Sequence, residues 1–349
     1  MSIETRRVGR VIGSAHAKGN ISRFGDFFMR GVTTLELVLA IVALALGSSS
    51  RSVDFEAVRA EARRATTEGK LTLARKLLRE ALHELRQKET KPTQWAADLL
   101  VDLGGIYRQL NQQSEAIAAL EEGSEVLMAL HGRGDPRYAM ALDKMADAHM
   151  QASDYDLARK VYNNLLEAMR ESSGSSHPGY EMTLGKAAYA ALQANQPRAA
   201  IKGYTELLGI QEAKGPAPKG QEVPTIAGVA QLRVQYAQAL AAVGELSDAL
   251  EQALQAEQAY ASEPSLMHSL EHAASLNGVA GVLEKLGRDE LAVTYMAKAL
   301  DAAQAVVSAD PEMDPKLVES AQANLNGLKK HVARKQAKQR QREAEAQEL

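Results

Sequence analysis

The sequence predicts an all-α solenoid, about six helix-turn-helix units stacked side by side and closed by a C-terminal capping helix. Three observations carry this. Aromatic residues are only 4% of the chain while hydrophobic residues are 45%, with alanine and leucine carrying most of the apolar content. Small and medium side chains at helical spacing suit close helix packing, whereas strands draw on β-branched and aromatic residues. Second, alanines recur at Ala74, Ala116, Ala158, Ala200, Ala249 and Ala292, in steps of 42, 42, 42, 49 and 43 residues. Third, each of these alanines has the same surroundings. Twelve residues before it stands a small residue (Ala62, Gly104, Ala146, Ala188, Ala237, Ala280), and five before it a turn former (Gly69, Asn111, Ser153, Asn195, Gly244, Gly287). Four residues after it comes a large apolar residue, Leu78, Leu120, Tyr162, Tyr204 or Met296, with Ala253 the weak member.

Taken in chain order, residues 1–50 read as an address. Arg6, Arg7, Arg10, Lys18, Arg23 and Arg30 face only Glu4, Asp26 and Glu36, a net of +3, with Phe24, Phe27 and Phe28 close together. That is the composition of a mitochondrial or plastid transit peptide. An apolar run follows at 32–46, but its unbroken stretch from Leu37 to Leu46 is ten residues, against about 20 for a spanning helix. Three readings stay open for it: the apolar region of a secretory signal, a short membrane anchor behind a transit peptide, or a hydrophobic helix that packs on protein.

Residues 53–213 hold units 1–4. In each unit the small residue of the first helix lets the second approach closely, the turn former ends the first helix, and the large residue fills the space between them. One such hairpin cannot bury its apolar face alone, so the units must stack. The 49-residue step contains KGPAPKGQEVP at 214–224, read as a surface loop because proline and glycine do not continue a helix. Units 5–6 occupy 225–309, and 315–349 is a capping helix with a charged tail that has almost no apolar residue after Val332.

Little in the sequence points to catalysis. No cysteine is present, which removes thiolate metal sites and cysteine nucleophiles, and no GxxxxGK[ST], HExxH or GxSxG occurs. His268 and His272 are four apart on a helix but lack a third ligand of matching spacing, so they read as surface histidines. Trp95, the single tryptophan, reads as a packing residue. With 35 basic and 41 acidic residues after residue 50, the body is mildly acidic and has no footprint for nucleic acid. No cofactor and no metal are expected.

The segment LDKMADAHMQASDYDLARKVYNNLLEAM (142–169) resembles a tetratricopeptide repeat throughout its length, and LNGVAGVLEKLGRDELAVTYMAKAL (276–300) is similar again. The 42-residue period, with HGRGDP at 131–136 and SSGSSHP at 172–178 between units, resembles the kinesin-light-chain branch of that family. The resemblance runs from about Val53 to Ala309. It implies a right-handed superhelix without catalytic activity that binds other proteins on a concave face lined by the first helices. Counted from the alanines, that face comprises Asp98, Asp102, Arg108, Asp143, Lys144, Asp147, Lys186, Tyr189, Gln235, Gln238, Asn277 and Lys285, with Val101, Gly105 and Gly281 between them. Asn277 alone matches the lysine–asparagine clamp of chaperone-binding members, so no such clamp is expected. The order of basic presequence, apolar segment and repeats resembles the mitochondrial tetratricopeptide protein that supports maturation of respiratory complex III. On that resemblance the expected role is a mitochondrial, inner-membrane-associated assembly factor or accessory subunit of a respiratory or ATP synthase complex, with respiratory-complex subunits as partners. The alternatives are a plastid or secretory location, or a cytosolic cargo adaptor of the kinesin-light-chain kind.

Overall fold

A computed structural model describes residues 54–89, 91, 93–174, 179–214, 222–310 and 312–347. Within them the chain forms thirteen α-helices and no strand. Six hairpins follow one another: α1 (Phe55–Thr67) with α2 (Leu71–Lys88), α3 (Gln94–Gln109) with α4 (Gln113–His131), and α5 (Pro136–Gln151) with α6 (Tyr155–Ser173). Then come α7 (Tyr180–Gln193) with α8 (Pro197–Lys214), α9 (Glu222–Val243) with α10 (Leu246–Ser262), and α11 (Leu270–Lys285) with α12 (Asp289–Ala309). The last helix, α13 (Lys316–Gln347), lies against α12. Residues 1–53, with the apolar run at 32–46, the His177–Pro178 turn and residues 215–221 lie outside the described residues. Among the described residues no helix is long and apolar enough to cross a membrane.

The turn chemistry of the sequence becomes backbone geometry. All six turn formers adopt positive φ: Gly69 at 73°, Asn111 at 60°, Ser153 at 62°, Asn195 at 56°, Gly244 at 86° and Gly287 at 73°. At each, the following amide donates to the carbonyl five residues back, as in Lys70 N to Ala65 O (2.8 Å) and Gln112 N to Tyr107 O (2.9 Å). This left-handed stop reverses the chain within two residues while satisfying the orphan carbonyls of the first helix. Between units the chain turns again at Gly132, φ 77°. Asp135 then caps α5 by accepting from Arg137 N at 2.8 Å, with Pro136 at the first helical position. Thr93 and Ser269 cap α3 and α11 in the same way.

The six alanines that mark the period are all fully buried, each 0% exposed. Around them the large residues Leu78, Leu120, Tyr162 and Tyr204 are at most 1% exposed, each buried side chain contributing about 1.5–3 kcal/mol. The closest approach is at Gly104, where an added Cβ would lie 2.8 and 3.0 Å from the two methyls of Leu120. Glycine at this position lets α4 bring Leu120 closer to α3 than an added Cβ would allow. Leu325, Leu328 and Val332 of α13 close the apolar end of the last hairpin, and Lys335 pairs with Asp289 at 2.7 Å. Beyond Val332 the helix continues to Gln347, with residues 333–346 all exposed.

Two details differ from the reading of the sequence. Helices α8 and α9 run into the proline–glycine stretch, ending at Lys214 and starting at Glu222. Pro224 is then the third residue of α9, where its missing amide hydrogen costs nothing. His272 is not a surface histidine. It is 6% exposed, its Nδ1 meets the carbonyl of Met267, and its ring lies 6.0 Å from that of Tyr260. Among the described residues no group of three metal-ligating side chains forms.

Candidate functional site

The first helices of successive hairpins touch one another at α1–α3, α3–α5, α7–α9 and α9–α11, while among the described residues the second helices make no contact of comparable extent. The first helices therefore form the inner wall of the solenoid, and the second helices the outer.

On this wall the acidic residues of units 2 and 3 are paired across hairpins. Arg59 of α1 bonds Asp98 Oδ2 at 2.9 Å and Asp102 Oδ2 at 2.8 Å, and Arg63 stands 3.7 Å from Asp102. Asp98 is only 7% exposed, with Arg137 at 4.0 Å on its other oxygen, so it is a buried structural partner more than a surface charge. Lys186 of α7 spans Asp143 at 2.9 Å and Asp147 at 3.0 Å, lying 5.7 Å from the Tyr162 ring centre, and the Tyr162 hydroxyl donates to the same Asp147 oxygen at 2.6 Å. Burial pulls the Lys186 and Arg59 pKa values down, but their carboxylate partners outweigh it and hold both above the ordinary range. Burial and the bond to Asp147 push the Tyr162 hydroxyl far up.

Two cations are left over. Lys144 makes no hydrogen bond or ion pair among the described residues, and its Nζ sits over Gly105, 3.4 Å from where a Cβ would be. Burial lowers the Lys144 pKa; Asp102 opposes this, while the nearby Arg108, Arg63 and Arg59 reinforce it. Arg108 has a buried Nε with no partner. Asp102, the carboxylate that acts on Lys144, is already bonded to Arg59 and stands 3.7 Å from Arg63, so the positive charge here is only partly offset.

The other residues expected on the face fall as follows. Tyr189, Gln238, Asn277 and Lys285 are exposed, and Gln235 accepts a hydrogen bond from Tyr204 at 3.2 Å. Val101 is 5% exposed and belongs to the core. Gln238, Gly281 and Lys285 line a cavity between units 5 and 6. Arg59 and Arg63 were missed because the face was counted from unit 2, yet they stand fifteen and eleven residues before Ala74, the same register as Asp143 and Asp147 before Ala158.

Residues 137–213 match the family model described as tetratricopeptide repeat. The crystal structure of a single-substitution form of a Podosopora anserina kinesin-light-chain-type protein with nearly identical TPR-like repeats superposes with a TM-score of 0.51 at 18% identity, covering 62% of this chain and 98% of that one. Residues 137–213 are tetratricopeptide repeats. Proteins built from tetratricopeptide repeats are generally non-catalytic scaffolds that bind other proteins or peptides, and the array has the wall such binding uses. Two relatives are the RxLR effector protein SFI4 of Phytophthora infestans (strain T30-4), 25% identical over 203 residues, and the secreted RxLR effector protein RXLR-C07 of Plasmopara halstedii, 27% identical over 186. The matches cover 58% and 53% of this chain, and the chain spans 58% and 55% of the length of those relatives.

Proposed function

We propose that this chain is a non-catalytic scaffold whose tetratricopeptide wall holds an acidic segment of a partner protein across units 1–3. The observation that carries the reading is the pair Lys144 and Arg108, two cations on the wall of units 2 and 3 that make no ion pair among the described residues while four neighbouring aspartates are already engaged. An incoming carboxylate would find charge-assisted donors there and relieve the repulsion among Lys144, Arg108 and Arg63.

The basic composition of residues 1–50 and the apolar run at 32–46 support a mitochondrial, inner-membrane-associated location, with subunits of a respiratory or ATP synthase complex as the partners. A secreted location is the second reading, favoured by the two relatives, one of them named as secreted. The cargo-adaptor reading gains nothing from the structural likeness, which at 18% identity speaks for the fold alone. Fusing residues 1–50 to a fluorescent protein separates these: mitochondrial import supports the first, export the second, and a cytosolic signal sinks both. The scaffold reading itself is tested by detergent purification of the tagged chain with mass spectrometry of what stays bound. Partners with acidic segments that dissociate from a Lys144→Glu variant support it; partners retained unchanged by that variant overturn it.

A further inference from the structure

The large residue that fills each hairpin is missing from the fifth. Ala253 stands four residues after Ala249, where the third and fourth hairpins place Tyr162 and Tyr204 after Ala158 and Ala200. The next hairpin does not make up the volume. Its first helix presents Gly278 and Gly281, and a Cβ at either would meet nothing within 4 Å. Where those deficits meet, the structure has a cavity of about 310 Å³, lined by Ala253, Gly278, Gly281, Gln238 and Ser275 among others. That is the low end of the size of ligand-binding clefts, about 300–1,000 Å³.

Three polar side chains line it, Gln238, Ser275 and Lys285. Ser275 is 1% exposed and its hydroxyl oxygen is wholly buried, out of reach of a group in the cavity. Gln238 is exposed and makes no hydrogen bond among the described residues. Its register gives it meaning. Gln238 stands eleven residues before Ala249, as Asp147 stands eleven before Ala158, and Asp147 is the residue that accepts the hydroxyl of Tyr162 at 2.6 Å. In the fourth hairpin the Tyr204 hydroxyl is met instead by Gln235 of the next unit, so it is the third hairpin's arrangement that the fifth repeats without the tyrosine.

We propose that this cavity is a binding site for a partner's tyrosine, entering from the inner wall with its ring over Ala253, Gly278 and Gly281 and its hydroxyl donating to Gln238. An aliphatic side chain would fill the space without using the amide of Gln238. The site deepens the scaffold reading and rests on it, adding an aromatic anchor in units 5–6 to the charged contact in units 1–3.

The test uses p-cresol, the tyrosine side chain as a free molecule, with the full chain and ligand-observed NMR. Binding of p-cresol at millimolar concentration is expected, at least about tenfold tighter than toluene. Ala253→Leu should abolish it by filling the cavity from α10, and Gly278→Leu should do so independently from α11, with both variants keeping their helical circular dichroism. No binding of p-cresol to the parent chain, equal binding of toluene, or undiminished binding in a folded variant of either kind overturns the proposal. Because the probe carries no acidic group, its failure leaves the Lys144 contact standing, and loss of acidic-peptide binding leaves p-cresol binding intact.

Discussion

Replacing Gly104 by alanine tests whether the period of the sequence is set by close packing inside each hairpin. Two opposing effects act on this substitution. Alanine is favoured over glycine within a helix by about 1 kcal/mol. Against that, the new Cβ would sit 2.8 and 3.0 Å from the methyls of Leu120, a side chain that is 0% exposed and has nowhere to retreat. Forcing such an overlap costs about 1–3 kcal/mol. Gly209, on the exposed side of α8, is the matched control, since a Cβ there meets nothing within 4 Å. Gly209→Ala should therefore stabilise by about 1 kcal/mol, while Gly104→Ala is neutral to destabilising by about 2 kcal/mol. Urea denaturation of both variants, with hydrogen exchange of α3 and α4 amides to localise the effect, measures the difference. If Gly104→Ala stabilises the chain as much as Gly209→Ala, the packing argument fails.

Other consequences can be read the same way. Tyr162→Phe removes the buried hydroxyl that donates to Asp147, and should cost about 1–2 kcal/mol by urea denaturation, since Lys186 still holds that carboxylate. Asp135→Ala loses the cap of α5, about 1 kcal/mol at neutral pH. Arg137 holds the Asp135 carboxyl below the usual range, so its contribution is complete above the unfolded value of about 3.9 and is lost as pH falls through the lower folded value. The stability gap between Asp135→Ala and the parent should accordingly shrink as denaturation is repeated at falling pH. Because Lys144 is held below the ordinary lysine range, an acidic peptide that pairs with it should raise its pKa and take up protons on binding in alkaline buffer. Calorimetry in two buffers of different ionisation enthalpy detects that uptake, and its absence would place the peptide elsewhere.

The hairpins were legible because the signal repeats. Ala74 to Ala292 recur at a near-constant period, and each turned out to be fully buried, so six weak local indications reinforced one another. Asn111, Ser153 and Asn195 could be read as turns because left-handed backbone tolerates few side chains, and all three adopt it. The wall was legible only as a set of positions. Which charges cancel depends on contacts between hairpins, such as Arg59 with Asp98 across 39 residues, and no periodicity encodes those. Lys144 and Asp143 are neighbours in sequence on the same helix, yet Asp143 is paired and Lys144 is not. His272 looked exposed because its burial comes from Tyr260 of the preceding hairpin. Ala253 was visible as the weak member of its series, but the cavity also needed the two glycines of the following unit, which mean nothing until the units are stacked.

The most direct test of the account is the binding of a fluorescein-labelled Glu/Asp-rich peptide to the full chain, followed by anisotropy, with Lys144→Glu and Arg108→Glu compared against the parent. The account predicts saturable binding that weakens with salt and falls at least about tenfold, or 1.4 kcal/mol, in each variant, with the helical circular dichroism unchanged. Equal affinity in parent and variants would contradict it, and would move the partner site off the wall of units 1–3.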